Sequence, residues 1–90
     1  MDFAAAMPLA GTLGVTIEEG GKDRVAGKLP VRAEICTAGG IVHGGAIMAF
    51  ADTLGAYGTF LNLEDGAHTT TLESKTNFFA AGRGGTTITG

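Results

Sequence analysis

The chain has 90 residues, 44% of them hydrophobic and 17% charged, and a formal net charge of −3. A chain of this length makes one domain that hides only roughly 60 to 65% of its unfolded surface. Its apolar content excludes a disordered tail and leads us to expect apolar surface shared with a further copy. Its six basic residues are scattered and form no stripe for nucleic-acid phosphates. The single Cys36 forms no intrachain disulfide, and no charged leader followed by an apolar run opens the chain, so a cytoplasmic setting is expected.

Residues 2–9 read as a short helix, with Asp2 as N-cap and alanines of high propensity before Pro8. Residues 12–18 (TLGVTIE) and 24–31 (RVAGKLPV) are β-branched, partly alternating runs around the polar, glycine-containing EGGKD, which predicts an antiparallel hairpin. Residues 32–42 hold neither period and read as a loop. Residues 44–61, GGAIMAFADTLGAYGTFL, are apolar or small on every helical face and predict a buried helix. A membrane span is not expected there. An aspartate near the middle costs about 2.5 to 3.5 kcal/mol on insertion scales, and four glycines weaken the case further. NLEDG ends the helix, residues 69–79 (TTTLESKTNFF) alternate and predict a third, long strand, AGRGG makes a turn, and residues 86–89 begin a fourth strand.

This order gives an α+β fold, an antiparallel sheet wrapped around one long helix. The reading is a single domain over residues 1–90. Its last strand leaves an unfinished edge, as expected of an incomplete domain.

Asp52 is the only charged side chain between His43 and Leu61. A carboxylate in such a helix is either turned to a polar neighbour or water, or has a chemical task. At the start of the helix stand His43, Gly44 and Gly45, where amides lack intrahelical partners and the macrodipole is positive. There the Gly44 N–H is a candidate for polarising a ligand carbonyl, although glycines in such a loop also serve a turn alone. Eight helical residues put Gly44 and Asp52 about 12 Å and roughly 80° apart. They cannot easily serve one small carbonyl, so a shared reaction needs both from different subunits, in a composite site across a two-fold interface.

The string HGGAIMAFAD at residues 43–52 resembles the signature of hotdog-fold thioesterases related to the phenylacetate-pathway and 4-hydroxybenzoyl-CoA enzymes. TTTLESKTNFFAAGRGG resembles the strand and turn that follow the helix in that family, and the resemblance covers about residues 9–90. It implies a hotdog fold and hydrolysis of an acyl-CoA thioester to free acid and CoA. Gly44 would give the oxyanion N–H, with Gly45 beside it on the substrate. Asp52 would come from the neighbouring protomer, as general base on water or as nucleophile through a mixed anhydride. Thr71 falls near the position of a Ser or Thr that orients the carboxylate or its water. His43 would hydrogen-bond the substrate or hold the loop. Thr37 stands where relatives usually carry Asn or Gln, seven residues before the oxyanion glycine, and its hydroxyl can donate and accept but is shorter. Arg83 would meet a coenzyme A phosphate or be a solvated turn residue. The partners implied are acyl-CoA and further copies of the chain, as homodimer or homotetramer. Coenzyme A enters as part of the substrate and no separate cofactor is expected. Family members continue through further strands that help to bind its nucleotide part.

Other constellations are thinner. Cys36 and His43 as a thiolate pair lack an orienting third group. One cysteine with His43 and His68 is too few for zinc, so no metal is expected. Neither a GxGxxG fingerprint nor a Walker A loop occurs. Phe50, Tyr57, Phe60, Phe78 and Phe79 read as core or acyl-pocket lining. Two rival functions stand beside thioester hydrolysis. One is a hotdog hydratase or dehydratase, against which the loop lacks an HFP-type histidine segment. The other is a non-catalytic acyl-CoA-binding or dimerisation module. The acyl group stays open.

Overall fold

A computed structural model describes residues 6–90. The elements are α1 (Pro8–Leu13), β1 (Thr16–Gly20), β2 (Val25–Pro30), a 3-10 turn at Ala33–Ile35, α2 (Gly44–Phe60) and β3 (Thr87–Thr89). The expected N-terminal helix was centred too early. Its Asp2 cap lies outside the described residues, while Pro8 begins α1 at a position where proline's missing N–H costs nothing. Thr12 and Leu13, expected in a strand, are helical. The Thr12 hydroxyl donates to the Pro8 carbonyl at 3.1 Å, and Gly14, left-handed at φ 85°, ends the helix. The Val15 amide then reaches back to the Ala10 carbonyl at 3.0 Å in a Schellman-type closure.

The first hairpin forms in antiparallel register, Thr16 opposite Lys28 and Gly20 opposite Val25, with an irregularity between Ile17 and Glu19. Its turn is tighter than EGGKD suggested, because Glu19 and Gly20 join the strand and the Gly21 amide donates to the Arg24 carbonyl at 2.9 Å. Arg24 meets Glu19 at 3.0 Å across that turn. Both side chains are well exposed, so the pair adds little stability. β3 pairs with β2 on its other side, Leu29 opposite Ile88, which makes β2 the centre of a three-stranded antiparallel sheet.

α2 rests on β2 through Ala46, Phe50 and Thr53, buried at i, i+4 and i+7 on one stripe. The contact depends on Gly27. A β-carbon there would fall 2.9 Å from Leu54 Cδ2 and 2.8 Å from the Thr16 carbonyl oxygen, too close for either to stay in place. Leu29, with no exposed surface, sits at the centre of a cluster with Ala10, Val15, Val31, Ile35, Val42, Ala46 and Phe50. Burying a side chain such as Phe50 contributes about 1.5 to 3 kcal/mol.

Two expectations are corrected here. The central helix is not buried all round: its outer face, with Ala51, Asp52, Gly55 and Thr59, is exposed. The three-stranded sheet covers one side of α2 only. Residues 69–79, expected as a long strand, form none. Alternation fits a chain to a pleated surface, but a strand also needs a ladder partner for its amides and carbonyls. Residues 69–79 have no such partner among the described residues. Leu72 and Phe79 accordingly stand 98% and 93% exposed. The fourth expected strand is β3, shorter by one residue. Among the described residues, no helix is long and apolar enough to cross a membrane.

Candidate active site

The loop before α2 is built by backbone pairing. Thr37 donates its amide to the Ile41 carbonyl at 2.8 Å, Val42 donates to Gly82 at 2.7 Å, and His43 donates to Ile35 at 2.8 Å. These bonds deliver His43 in extended conformation as the N-cap of α2, a position more often held by Ser, Thr, Asp or Asn. Its ring does the capping: Nδ1 accepts the Gly45 N–H at 2.8 Å. An accepting Nδ1 leaves the neutral ring's proton on Nε2.

The remaining amides of the first turn can then be counted. Ala46 and Ile47 donate to the His43 carbonyl at 2.9 and 3.4 Å, and Gly45 donates to the ring. The Gly44 N–H is left as the one first-turn amide with no hydrogen-bond partner among the described residues. It stands at the positive end of a helix of 17 residues. Gly45, singled out beside it, has its amide already occupied by His43.

Two turns further on, Asp52 projects from the exposed face of α2. Its Oδ1 accepts from the Thr71 hydroxyl at 2.8 Å. A charge-assisted bond of this kind fixes the carboxylate's rotation and leaves Oδ2 for another donor. The pair lies in an open cleft of about 770 Å³ between α2 and residues 69–74, lined by Asp52, Thr59, Thr69, Thr71 and Glu73 among others. Asp52 and Gly44 do not share this cleft. His43 and Gly45 line a separate, more apolar one of about 350 Å³ with Leu9, Leu13, Ile35 and Ala46. One chain therefore presents two candidate half-sites: a carboxylate with its threonine, and a free amide with its capping histidine.

The other residues singled out by sequence are less engaged. The Thr37 hydroxyl donates to the Ile41 carbonyl at 3.2 Å, so its hydrogen is committed to the turn and only its oxygen is open. Arg83 is exposed, and its backbone pairs with Ile41, which brings the glycine-rich turn beside the loop before α2. Cys36 lines the same small cleft as His43, but its thiol donates to the Arg32 carbonyl at 3.3 Å. His68 lies exposed beyond the helix. Sequence reasoning did not separate Phe78 from the other aromatics. A β-carbon built on Gly44 would lie 3.2 Å from its Cζ. Nothing in the spacing of the two residues signals that contact.

Comparison with known proteins adds a family and a fold. The thioesterase superfamily model matches residues 39–90, more than half of the chain, from within the loop before α2 through β3. Among solved structures, the chain is similar to AziG of S. sahachiroi, with 26% identity and a TM-score of 0.83 over 91% of this chain and 66% of that one. It is similar in fold to a mutant thioesterase of Pseudomonas aeruginosa, with 23% identity and a TM-score of 0.85 over 97% of this chain and 64% of that one. A Mycobacterium tuberculosis protein assigned as an esterase matches 61% of this chain and 44% of its own, with 29% identity and a TM-score of 0.59. The chain thus spans just under two thirds of the length of the first two structures. A search of curated protein sequences finds no significant match. The α+β arrangement of antiparallel sheet and long helix is the hotdog fold.

Proposed function

The chain belongs to the thioesterase superfamily, and from that premise we propose that it hydrolyses an acyl-CoA thioester to the free acid and CoA. The observation that carries this reading is the Thr71–Asp52 hydrogen bond of 2.8 Å, which presents an oriented carboxylate to an open cleft. Gly44, with its unpartnered amide, supplies the complementary group.

The two half-sites point to assembly as a homodimer, or a tetramer built from dimers, in which Asp52 of one chain faces Gly44 of its neighbour. In that composite site the thioester carbonyl oxygen accepts the Gly44 N–H, and the carbonyl carbon becomes more electrophilic. Asp52 then acts in one of two ways. As general base, Oδ2 takes a proton from a water whose oxygen attacks the carbonyl. The tetrahedral oxyanion is held at Gly44, and its collapse breaks the C–S bond. The departing thiolate recovers the proton from Asp52. As nucleophile, Oδ2 attacks directly, CoA leaves as thiolate, and water hydrolyses the resulting mixed anhydride. Thr71 serves either route by holding Oδ1. His43 holds the helix start and keeps Gly45 occupied, which leaves Gly44 as the donor. Gly45 lies at this end of the helix, and Arg83, exposed and paired through its backbone with Ile41 in the loop before α2, would meet a CoA phosphate.

A second reading, an acyl-CoA-binding module without turnover, is favoured by one observation: the Thr37 hydroxyl donates to Ile41 within its own turn. The test is thiol release from phenylacetyl-, hydroxybenzoyl- and hexanoyl-CoA by the wild-type chain, Asp52→Asn and Asp52→Ala. Turnover that both substitutions remove while the oligomer persists supports hydrolysis. Binding of acyl-CoA with no thiol released favours the module.

A further inference from the structure

Gly44 has no backbone reason to be glycine. It is absent from the positive-φ positions, which are Gly14, Gly40, Gly66 and Gly85, and it opens a regular helix, where many residues are accepted. A side chain there would meet the ring of Phe78. A β-carbon on Gly44 would come within 3.2 Å of Phe78 Cζ and 3.4 Å of its Cε1, inside ordinary carbon–carbon contact. The ring is 52% exposed, so it is not core filling. Its Cζ, Cε1 and Cε2 all lie within 3.7 Å of where a Gly44 β-carbon would stand. Its neighbour Phe79 stands 93% exposed, so the seating belongs to Phe78 and not to the segment's apolar character in general.

We propose that Phe78 is a positioning residue for the Gly44 amide: its ring packs beside Gly44, favours glycine at that position, and walls the N–H from bulk water, so that a carbonyl oxygen takes it in place of solvent. This rests on the reading of Gly44 as oxyanion donor. An amide gains more from a developing negative charge when the surroundings are less water-like, and an apolar ring beside the donor supplies that without competing as an acceptor. The same segment also carries Thr71, whose hydroxyl holds Asp52. One stretch of chain thereby sets both half-sites.

The experiment uses the full 90-residue chain. Hydrogen exchange at the Gly44 amide is followed by NMR in the wild type, Phe78→Ala and Phe78→Leu. Thiol release is measured for these, for Gly44→Ala, for the double variant and for Asp52→Asn. Phe78→Ala is expected to speed Gly44 exchange about tenfold, leave Ala46 and Ile47 unchanged, and lower kcat about tenfold with KM little altered. Phe78→Leu, still apolar, restores most of both. Gly44→Ala keeps its N–H yet loses about tenfold in kcat, and that penalty vanishes in the Phe78→Ala background, where the methyl has room. Unchanged Gly44 exchange in Phe78→Ala, or an equal Gly44→Ala penalty with and without the ring, overturns the proposal. Exchange needs no turnover. If it responds while no Asp52-dependent thiol release occurs, the seating of the ring stands and the proposed reaction fails.

Discussion

Asp52 and Thr71 lie 19 residues apart and meet at 2.8 Å. A hydrogen bond to a charged group contributes about 1.5 to 3 kcal/mol. If its role is to orient the carboxylate, Thr71→Ala should lower kcat about 10- to 100-fold, while Thr71→Ser keeps most of it. Steady-state kinetics on the two variants decides this, and equal losses in both would remove Thr71 from the mechanism. Asp52 stood out as a candidate from residue type alone, a lone carboxylate in an apolar helix, although the helix face that carries it is exposed. Its link to Thr71 came only from family resemblance, because no local period relates a helix to a loop 19 residues later. His43 was legible as a residue of interest, but its capping bond to Gly45 was not. His43→Ala should cost about 1 kcal/mol of stability, measured by denaturant unfolding, and His43→Asn or His43→Asp should recover much of it. A variant as stable as wild type would show that the ring does not cap in solution.

Elements were legible where length and period agreed. α2 was expected at residues 44–61 and runs Gly44–Phe60, and the hairpin formed close to its expected place. α1 was displaced because Thr12 and Leu13 were read by β-propensity, while Pro8 and Gly14 fixed a helix between them. The strand expected at residues 69–79 failed for a different reason: alternation is a property of the segment, whereas pairing is a property of its surroundings. α2 on β2 carries a sharper test. Gly27→Ala drives a methyl against the Thr16 carbonyl and Leu54 and should destabilise the chain by about 1 to 3 kcal/mol. A denaturation midpoint unchanged from wild type would mean that helix and sheet are less tightly apposed than described.

At the scale of the whole molecule, the two half-sites lie on one helix about 12 Å apart. Leu72 lies beside Asp52 and Phe78 beside Gly44, and Phe60 and Phe79 add further exposed apolar surface. Such exposed apolar surface is what the proposed assembly would cover. The α+β class and the helix-on-sheet core followed from sequence. The proposed division of the candidate site between chains rests on helix geometry, not on any single residue.

The most direct test of that division is subunit complementation. Gly44→Pro removes the amide hydrogen at a helix position that tolerates proline, with Gly44→Ala, which adds the same β-carbon but keeps the N–H, as its control, and Asp52→Asn removes the base. Gly44→Pro and Asp52→Asn alone should each release almost no thiol from acyl-CoA. Mixed and allowed to exchange subunits, they should recover about one quarter of wild-type activity per chain, because half of the dimers are mixed and each carries one site with both groups intact. A mixture no more active than its parents, although exchange is demonstrated, would contradict a site in which Asp52 and Gly44 come from different chains.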